Sequence, residues 1–248
     1  QLNILQPSNL KDPLFVEELK NLTPDLQIVV AFRMLPDVVW QLPRIGTFNL
    51  HGSLLPQYRG AAPINWAIMN GEKETGVTTF FLHHEIDTGN IILQEKMLID
   101  EKETAGSLHD RMKVTGAQLV LKTVQTLLTG TYPLIEQQEN KELKRAPKIY
   151  TEDCNIQWNR QTVSIYNQIR GLSPYPAAFT YLAGKNLKIF SAEKVIMAHS
   201  IKPGEIETDG KTFLHFAACD GFIAALDVQL QGKKKMSIQE FLRGNRLL

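Results

Sequence analysis

The chain has 248 residues, of which 43% are hydrophobic and 21% charged, with a formal net charge of +1. These are ordinary globular values, and the length fits one large domain or two ordinary ones around a buried core. They exclude an intrinsically disordered or strongly polyionic chain, though a local basic patch would still suffice to hold a nucleic acid.

In chain order, Asp12-Pro13 is a cap followed by proline at the first helical position, and Phe15, Val16 and Leu19 continue the helical spacing to about Asn21. Leu26 to Ala31 is a short β-branched run that reads as a buried parallel strand. Pro36 to Leu42 reads as a helix and Gly46 to Leu50 as a second strand. Pro63 to Asn70, with proline at its start and Gly71 just past its end, predicts another helix. Thr75 to His83 and Ile91 to Ile99 predict two strands, joined by the polar loop His84 to Gly89. Thr104 to Thr129 reads as a long helix that stops at Gly130. This alternation predicts an α/β layer with a mostly parallel sheet over residues 1–130.

After Gly130 the pattern changes. Glu136 to Lys148 is polar and carries Lys141, Lys144, Arg145 and Lys148. Residues 131–150 therefore read as a linker crossing the surface. From 151 to 248 one helix (Val163 to Arg170) is followed by short strands at Ala178–Leu182, Leu187–Phe190, Thr212–Phe216 and Phe222–Asp227, and a last helix at Ser237–Arg243. That is a small β-rich, barrel-like module.

Two cysteines, Cys154 and Cys219, lie far apart and outside any C-x-x-C pair, which argues against a disulfide framework or structural zinc and suits a reducing cytoplasm. No apolar run approaches the roughly 20 residues of a membrane span, and no signal peptide is visible. Gln1 to Pro7 reads as mid-chain sequence, so an N-terminally incomplete domain is expected.

Chemistry concentrates at Asn49-Leu50-His51-Gly52-Ser53-Leu54-Leu55-Pro56. Residues two apart on a strand share a face, so Asn49 and His51 look into one pocket beyond a strand end, where α/β sheets bind ligands. An amide donor beside an imidazole suits acyl transfer, although a lone histidine is more often a polar strand end that satisfies its neighbours. Arg59 is as well suited to anchoring a loop as to holding a carboxylate. Asp87, before Thr88-Gly89, is on its face a turn aspartate; the functional alternative is that it orients His51. His83 and His84 are adjacent, so they point to opposite faces and read as surface residues, and His109, His199 and His215 have no companions. G-x-G-x-x-G and P-loop patterns are absent. Lys233-Lys234-Lys235 after Gly232 is a solvated turn or a phosphate contact.

The run Phe48 to Pro63 as a whole, with Asp87-Thr88-Gly89, strongly resembles the signature of the folate-dependent formyltransferases. Ile165 to Ala178 and Gly232-Lys233-Lys234-Lys235-Met236-Ser237 resemble the second domain of the methionyl-tRNA branch of that family, so the resemblance covers essentially the whole chain. It implies a Rossmann-like formyltransferase domain followed by an OB-like tRNA-binding domain. It implies a monomeric cytoplasmic enzyme that uses 10-formyltetrahydrofolate as donor and methionyl-initiator tRNA as acceptor, without a metal. Asn49, His51 and Asp87 match the family's catalytic positions, and Ser53, Leu54, Leu55 and Pro56 match its folate-contacting segment. Phe32-Arg33 stands where the family has Tyr-Gly, beside the pterin. The alternatives are a sugar-nucleotide formyltransferase, a formyl-folate hydrolase, or an inactive fragment that keeps only an RNA-binding module.

Overall fold

The computed structural model describes residues 3–30, 34–138 and 142–245, so Phe32-Arg33 and Lys141 lie outside the described residues. The chain forms two compact units. The first comprises Gln1–Gly60, Thr75–Met97 and Met112–Arg145; the second comprises Ala61–Glu74, Leu98–Arg111 and Ala146–Leu248.

In chain order the elements are α1 (Pro13–Asn21), β1 (Leu26–Val29), α2 (Asp37–Trp40), β2 (Gly46–His51), β3 (Arg59–Gly60), α3 (Pro63–Met69), β4 (Glu74–Phe81), β5 (Ile91–Leu98) and α4 (Ala105–Leu128). There follow β6 (Arg145–Ala146), α5 (Thr151–Cys154), α6 (Thr162–Leu172), β7 (Ala178–Leu182), β8 (Lys185–Ile196), β9 (Ile206–Thr208), β10 (Leu214–Ala217), β11 (Gly221–Leu230), β12 (Met236–Ser237) and α7 (Ile238–Gly244). Helix α1 begins where expected, with Asp12 accepting from the Leu14 amide at 2.8 Å.

The sheet of the first unit has the order β1-β2-β4-β5. β1 and β2 are parallel. β2 and β4 are antiparallel, with Asn49 opposite Phe80 and His51 opposite Thr78. The sheet is therefore mixed among the described strands. The parallel reading extended a β-branched composition to strand direction, which composition does not encode. Alternation along β2 sorts its residues by face. Phe48 is fully buried in a cluster with Ile92 and Leu127, against which Val120 and Val124 of α4 pack. Leu50 lies so close to Gly116 of α4 that a β-carbon there would sit 2.7 Å from its side chain. Asn49 and His51 consequently take the opposite face, with Phe80, Leu55 and Ile91.

The second unit holds an antiparallel sheet of order β7-β8-β11-β10-β9, with β12 on β11. Strands β8 and β11 are longer than the sequence pattern suggested, and a bulge at Ala225–Val228 bends them. The path ends at β7 and β9, so the module is a curled half-barrel. Helix α6 fills it with Ile165, Ile169 and Leu172 against Leu187, Ile189, Ile223 and Phe216, and α7 adds Phe241. Trp158 stacks on Phe216 at 4.7 Å between ring centroids. Among the described residues no helix is long and apolar enough to cross a membrane.

The polar stretch after Gly130 is not a simple surface crossing. Ile135 pairs with Ile91 in an isolated bridge, Gln137 is buried, and Ala146 is fully buried.

Candidate active site

Strand β2 ends at His51, and its last residues bring Asn49 and His51 to the same face, 4% and 6% exposed respectively. The Asn49 side-chain oxygen is buried with no hydrogen-bond partner among the described residues. A buried acceptor oxygen left unpaired costs about 1–3 kcal/mol, so its retention points to a donor supplied from outside the fold.

His51 is held on both sides. Its Nε2 lies 2.9 Å from the Tyr58 carbonyl, which can only accept, so Nε2 carries a proton. Its Nδ1 faces the Asp87 carboxylate at 3.7 Å, beyond hydrogen-bond length but close enough for charge attraction should the ring become protonated. The Phe80 ring stands edge-on at 6.4 Å. Asp87 thus lies beside His51 without a hydrogen bond to it, and the contact that holds the ring is the one to the Tyr58 carbonyl.

Asp87, 8% exposed, is itself placed by backbone. Its Oδ2 accepts from the Gly60 amide at 2.9 Å. Asp87 and Tyr58 both adopt positive φ, +57° and +60°, so both partners of His51 sit in the left-handed region that non-glycine residues occupy only when the surroundings enforce it. Gly89 is required by close approach, since a β-carbon there would lie 1.7 Å from the Phe81 carbonyl oxygen.

The loop after His51 is locked from within. Ser53 is fully buried; its hydroxyl donates to the Gln57 carbonyl at 2.6 Å, and its carbonyl accepts from Thr78 Oγ1 at 2.6 Å. Thr78 Oγ1 also accepts from the Leu55 amide and from Gln94 Nε2. Leu55 is buried against Phe80 and Ile91. Leu54 and Pro56 are half-buried. Of the four residues expected to contact a folate, two therefore shape the loop from inside.

Arg59, 3% exposed, donates from Nε to Gln137 Oε1 at 3.0 Å, which gives it an anchoring role. His83 and His84 are exposed, and His84 pairs loosely with Asp37 at 3.7 Å. Of the basic triplet, Lys235 is engaged with Asp227 at 3.3 Å and lies over the Phe190 ring, while Lys233 and Lys234 are exposed.

A family profile described as "Formyl transferase" matches residues 1–124, and one described as "Formyl transferase, C-terminal domain" matches residues 148–246. A methionyl-tRNA formyltransferase of Bacteroides fragilis is 52% identical over 255 aligned residues, covering 100% of this chain and 79% of the relative. The chain belongs to the methionyl-tRNA formyltransferase family. Among solved structures, a methionyl-tRNA formyltransferase from Clostridium thermocellum has the same fold, with a TM-score of 0.60 at 22% identity, covering 89% of this chain and 83% of that one. An N-formyltransferase from Helicobacter canadensis, solved with folinic acid and dTDP-3-aminofucose, has a TM-score of 0.58 at 26% identity, covering 76% and 66% of the two chains.

Reading residues alone missed the part of this candidate site that is built from backbone. The Tyr58 carbonyl and the Gly60 amide carry no side-chain signature. Gln137 was missed too. Its Nε2 donates to the carbonyls of Asp87 at 2.9 Å and Gly89 at 2.7 Å while its Oε1 receives Arg59, so one buried amide ties the Asp87 loop to the segment that follows His51. It lies in a polar run, Glu136-Gln137-Gln138, with nothing to mark it out.

Proposed function

We propose that this formyltransferase moves the formyl group of 10-formyltetrahydrofolate to the amino group of methionyl-initiator tRNA, and so supports translation initiation in the cytoplasm, as a monomer. The acceptor follows from the name carried by relatives about half identical to the chain over its whole length. A folate donor agrees with the folinic acid bound by the Helicobacter canadensis relative. The observation that carries the chemistry is the unpaired side-chain oxygen of Asn49, buried on the same face as a histidine that is fixed on one nitrogen and faces a carboxylate on the other.

In this reading the neutral amine attacks the formyl carbon, a new C–N bond forms, and negative charge collects on the formyl oxygen. The Asn49 side-chain N–H donates to that oxygen as charge develops, and its buried Oδ1 can accept from an N–H of the incoming amine. With Nε2 committed to Tyr58, Nδ1 is the nitrogen of His51 that takes the amine proton. The imidazolium so formed faces Asp87, and the proton returns to the folate nitrogen as its C–N bond breaks. The amine is already a nucleophile once neutral, so no metal step is invoked. Folate contact falls to the backbone of Ser53–Pro56 and to the half-buried Leu54 and Pro56, whose path Ser53 and Leu55 fix.

The test is a formyl-transfer assay with methionyl-initiator tRNA beside a dTDP-linked amino sugar, with donor consumption also followed when no acceptor is present. Formylation of the tRNA alone is the expected result. Transfer only to the sugar, or hydrolysis of the donor without transfer, overturns the proposed acceptor.

A further inference from the structure

A second cavity, of about 490 Å³, lies wholly within the second unit, and none of its lining residues belongs to the Asn49, His51 and Asp87 group. Its volume is that of a small-molecule or group-sized site. Four cationic side chains line it, Lys73, Arg160, Arg170 and Lys194, against the single carboxylate of Glu101.

The four cations differ in how they are held. Arg170 is 6% exposed; its Nε donates to Asn167 Oδ1 at 2.9 Å and its Nη1 to the Glu103 carbonyl at 3.1 Å. These partners are neutral and orient the guanidinium, while the Glu103 and Glu101 carboxylates act on it through space. Lys194 reaches Glu101 at 2.8 Å and lies 4.8 Å from the centre of the Tyr166 ring. That pair is the closest contact of the one carboxylate, which Lys73 also attracts through space. Lys73 and Arg160 are exposed, and among the described residues neither side chain makes a hydrogen bond or ion pair. The cavity thus has a buried cation at its floor and two exposed cations at its rim, of which Lys73 also feels the Glu101 carboxylate. Arginine forks and lysine ammonium groups around a polar recess suit phosphate, whose oxygens accept several donors at once.

We propose that this cavity binds backbone phosphates of the RNA acceptor, with Lys73 and Arg160 closing on them over the fixed Arg170. The proposal deepens the acceptor assignment made above and rests on it. Four cations against one carboxylate make an extended polyanion the fitting ligand, because each phosphate neutralised by a rim cation releases counterions.

The experiment compares wild type with the exposed-site variants Lys73→Ala/Arg160→Ala and Lys73→Arg/Arg160→Lys in steady-state formylation of methionyl-initiator tRNA across a salt series. Neither side chain makes a hydrogen bond or ion pair among the described residues, so thermal stability is expected to stay unchanged and serves as the control. The alanine pair is expected to raise KM for tRNA about 10- to 100-fold, leave kcat and KM for the folate donor unchanged, and lower the salt slope of tRNA affinity by about 1–2. The charge-preserving pair restores the wild-type values. An unchanged tRNA KM and salt slope in the alanine pair overturns the proposal, including the case in which the cavity binds a free nucleoside diphosphate instead. Wild-type protein that formylates no tRNA at all fails the acceptor assignment itself, a result distinguishable from failure of the cavity alone.

Discussion

The two units bury polar groups in different measure, and among the described residues the second keeps fewer of them, including Glu103, Gln168 and Arg170. The second is filled by one continuous apolar cluster that runs from Cys154 through Ile165, Leu187 and Phe216 to Leu242. The first also has apolar clusters, around Phe48 and around Leu55, but it buries Asn49, His51, Ser53, Arg59, Thr78, Asp87 and Gln137 beside them. Apolar burial stabilises in proportion to area and needs no particular partner. Polar burial costs free energy unless each group is paired, so a unit that keeps such a network has traded stability for geometry. The difference shows where substitution should strike stability and where it should strike rate.

The largest expected effect on stability lies in the second unit. Phe216→Ala removes a fully buried ring stacked on Trp158 and should cost about 3–5 kcal/mol in chemical denaturation. A loss below 1 kcal/mol would show that the half-barrel core is not the stabilising element described. On rate, Asn49→Ala and Asp87→Ala should each lower turnover about 100- to 1,000-fold, the equivalent of roughly 2.7–4 kcal/mol of barrier, with little change in folate affinity. Asn49→Ala removes an unpaired buried group, so its unfolding midpoint should hold or rise. Near-normal turnover in either variant, or a collapse of stability in Asn49→Ala, would erase the contrast between the units.

Gln137→Leu is intermediate, because Gln137 is polar scaffolding within the site. It leaves the carbonyls of Asp87 and Gly89 and the Nε of Arg59 without the partner Gln137 supplies, and should destabilise by about 1–3 kcal/mol while lowering kcat more than it raises KM for folate. A pure stability loss with kcat intact would make the tie structural only.

The smallest effect is a helix cap in the second unit. Asp220 accepts from the Thr162 amide at 2.7 Å and hydroxyl at 2.6 Å at the start of α6, and these bonds hold its carboxyl below the usual aspartate range. A depressed carboxylate contributes stability that is present above its unfolded value and is lost as pH falls through its folded one. Asp220→Ala should cost about 1 kcal/mol at neutral pH, and the gap from wild type should close on acidification. A gap that is constant from neutral to acid pH would remove Asp220 as the cap.

Much of this was legible in the residues. The same-face placement of Asn49 and His51 follows from the two-residue period of a strand. Helix α3 lies where proline and glycine punctuation placed it, and α1 starts at its Asp12 cap. Strands β3, β6, β9 and β12 were not seen, since runs of two or three residues are too short to show a period. The antiparallel pairing of β2 with β4 was missed because direction depends on where the intervening chain returns, not on the residues of either strand.

For the site, the sequence alone named its chemistry: an amide, an imidazole and a carboxylate, each a letter in the chain. Only the tertiary structure decided how they are held. The groups that fix His51 and Asp87 are the Tyr58 carbonyl and the Gly60 amide, and every residue but proline carries both kinds of group. A backbone atom gains a role only when the fold delivers it to a particular place. The same holds for Gln137, ordinary in its polar run and bound on both sides of its amide once folding brings it to the Asp87 loop 50 residues earlier in the chain.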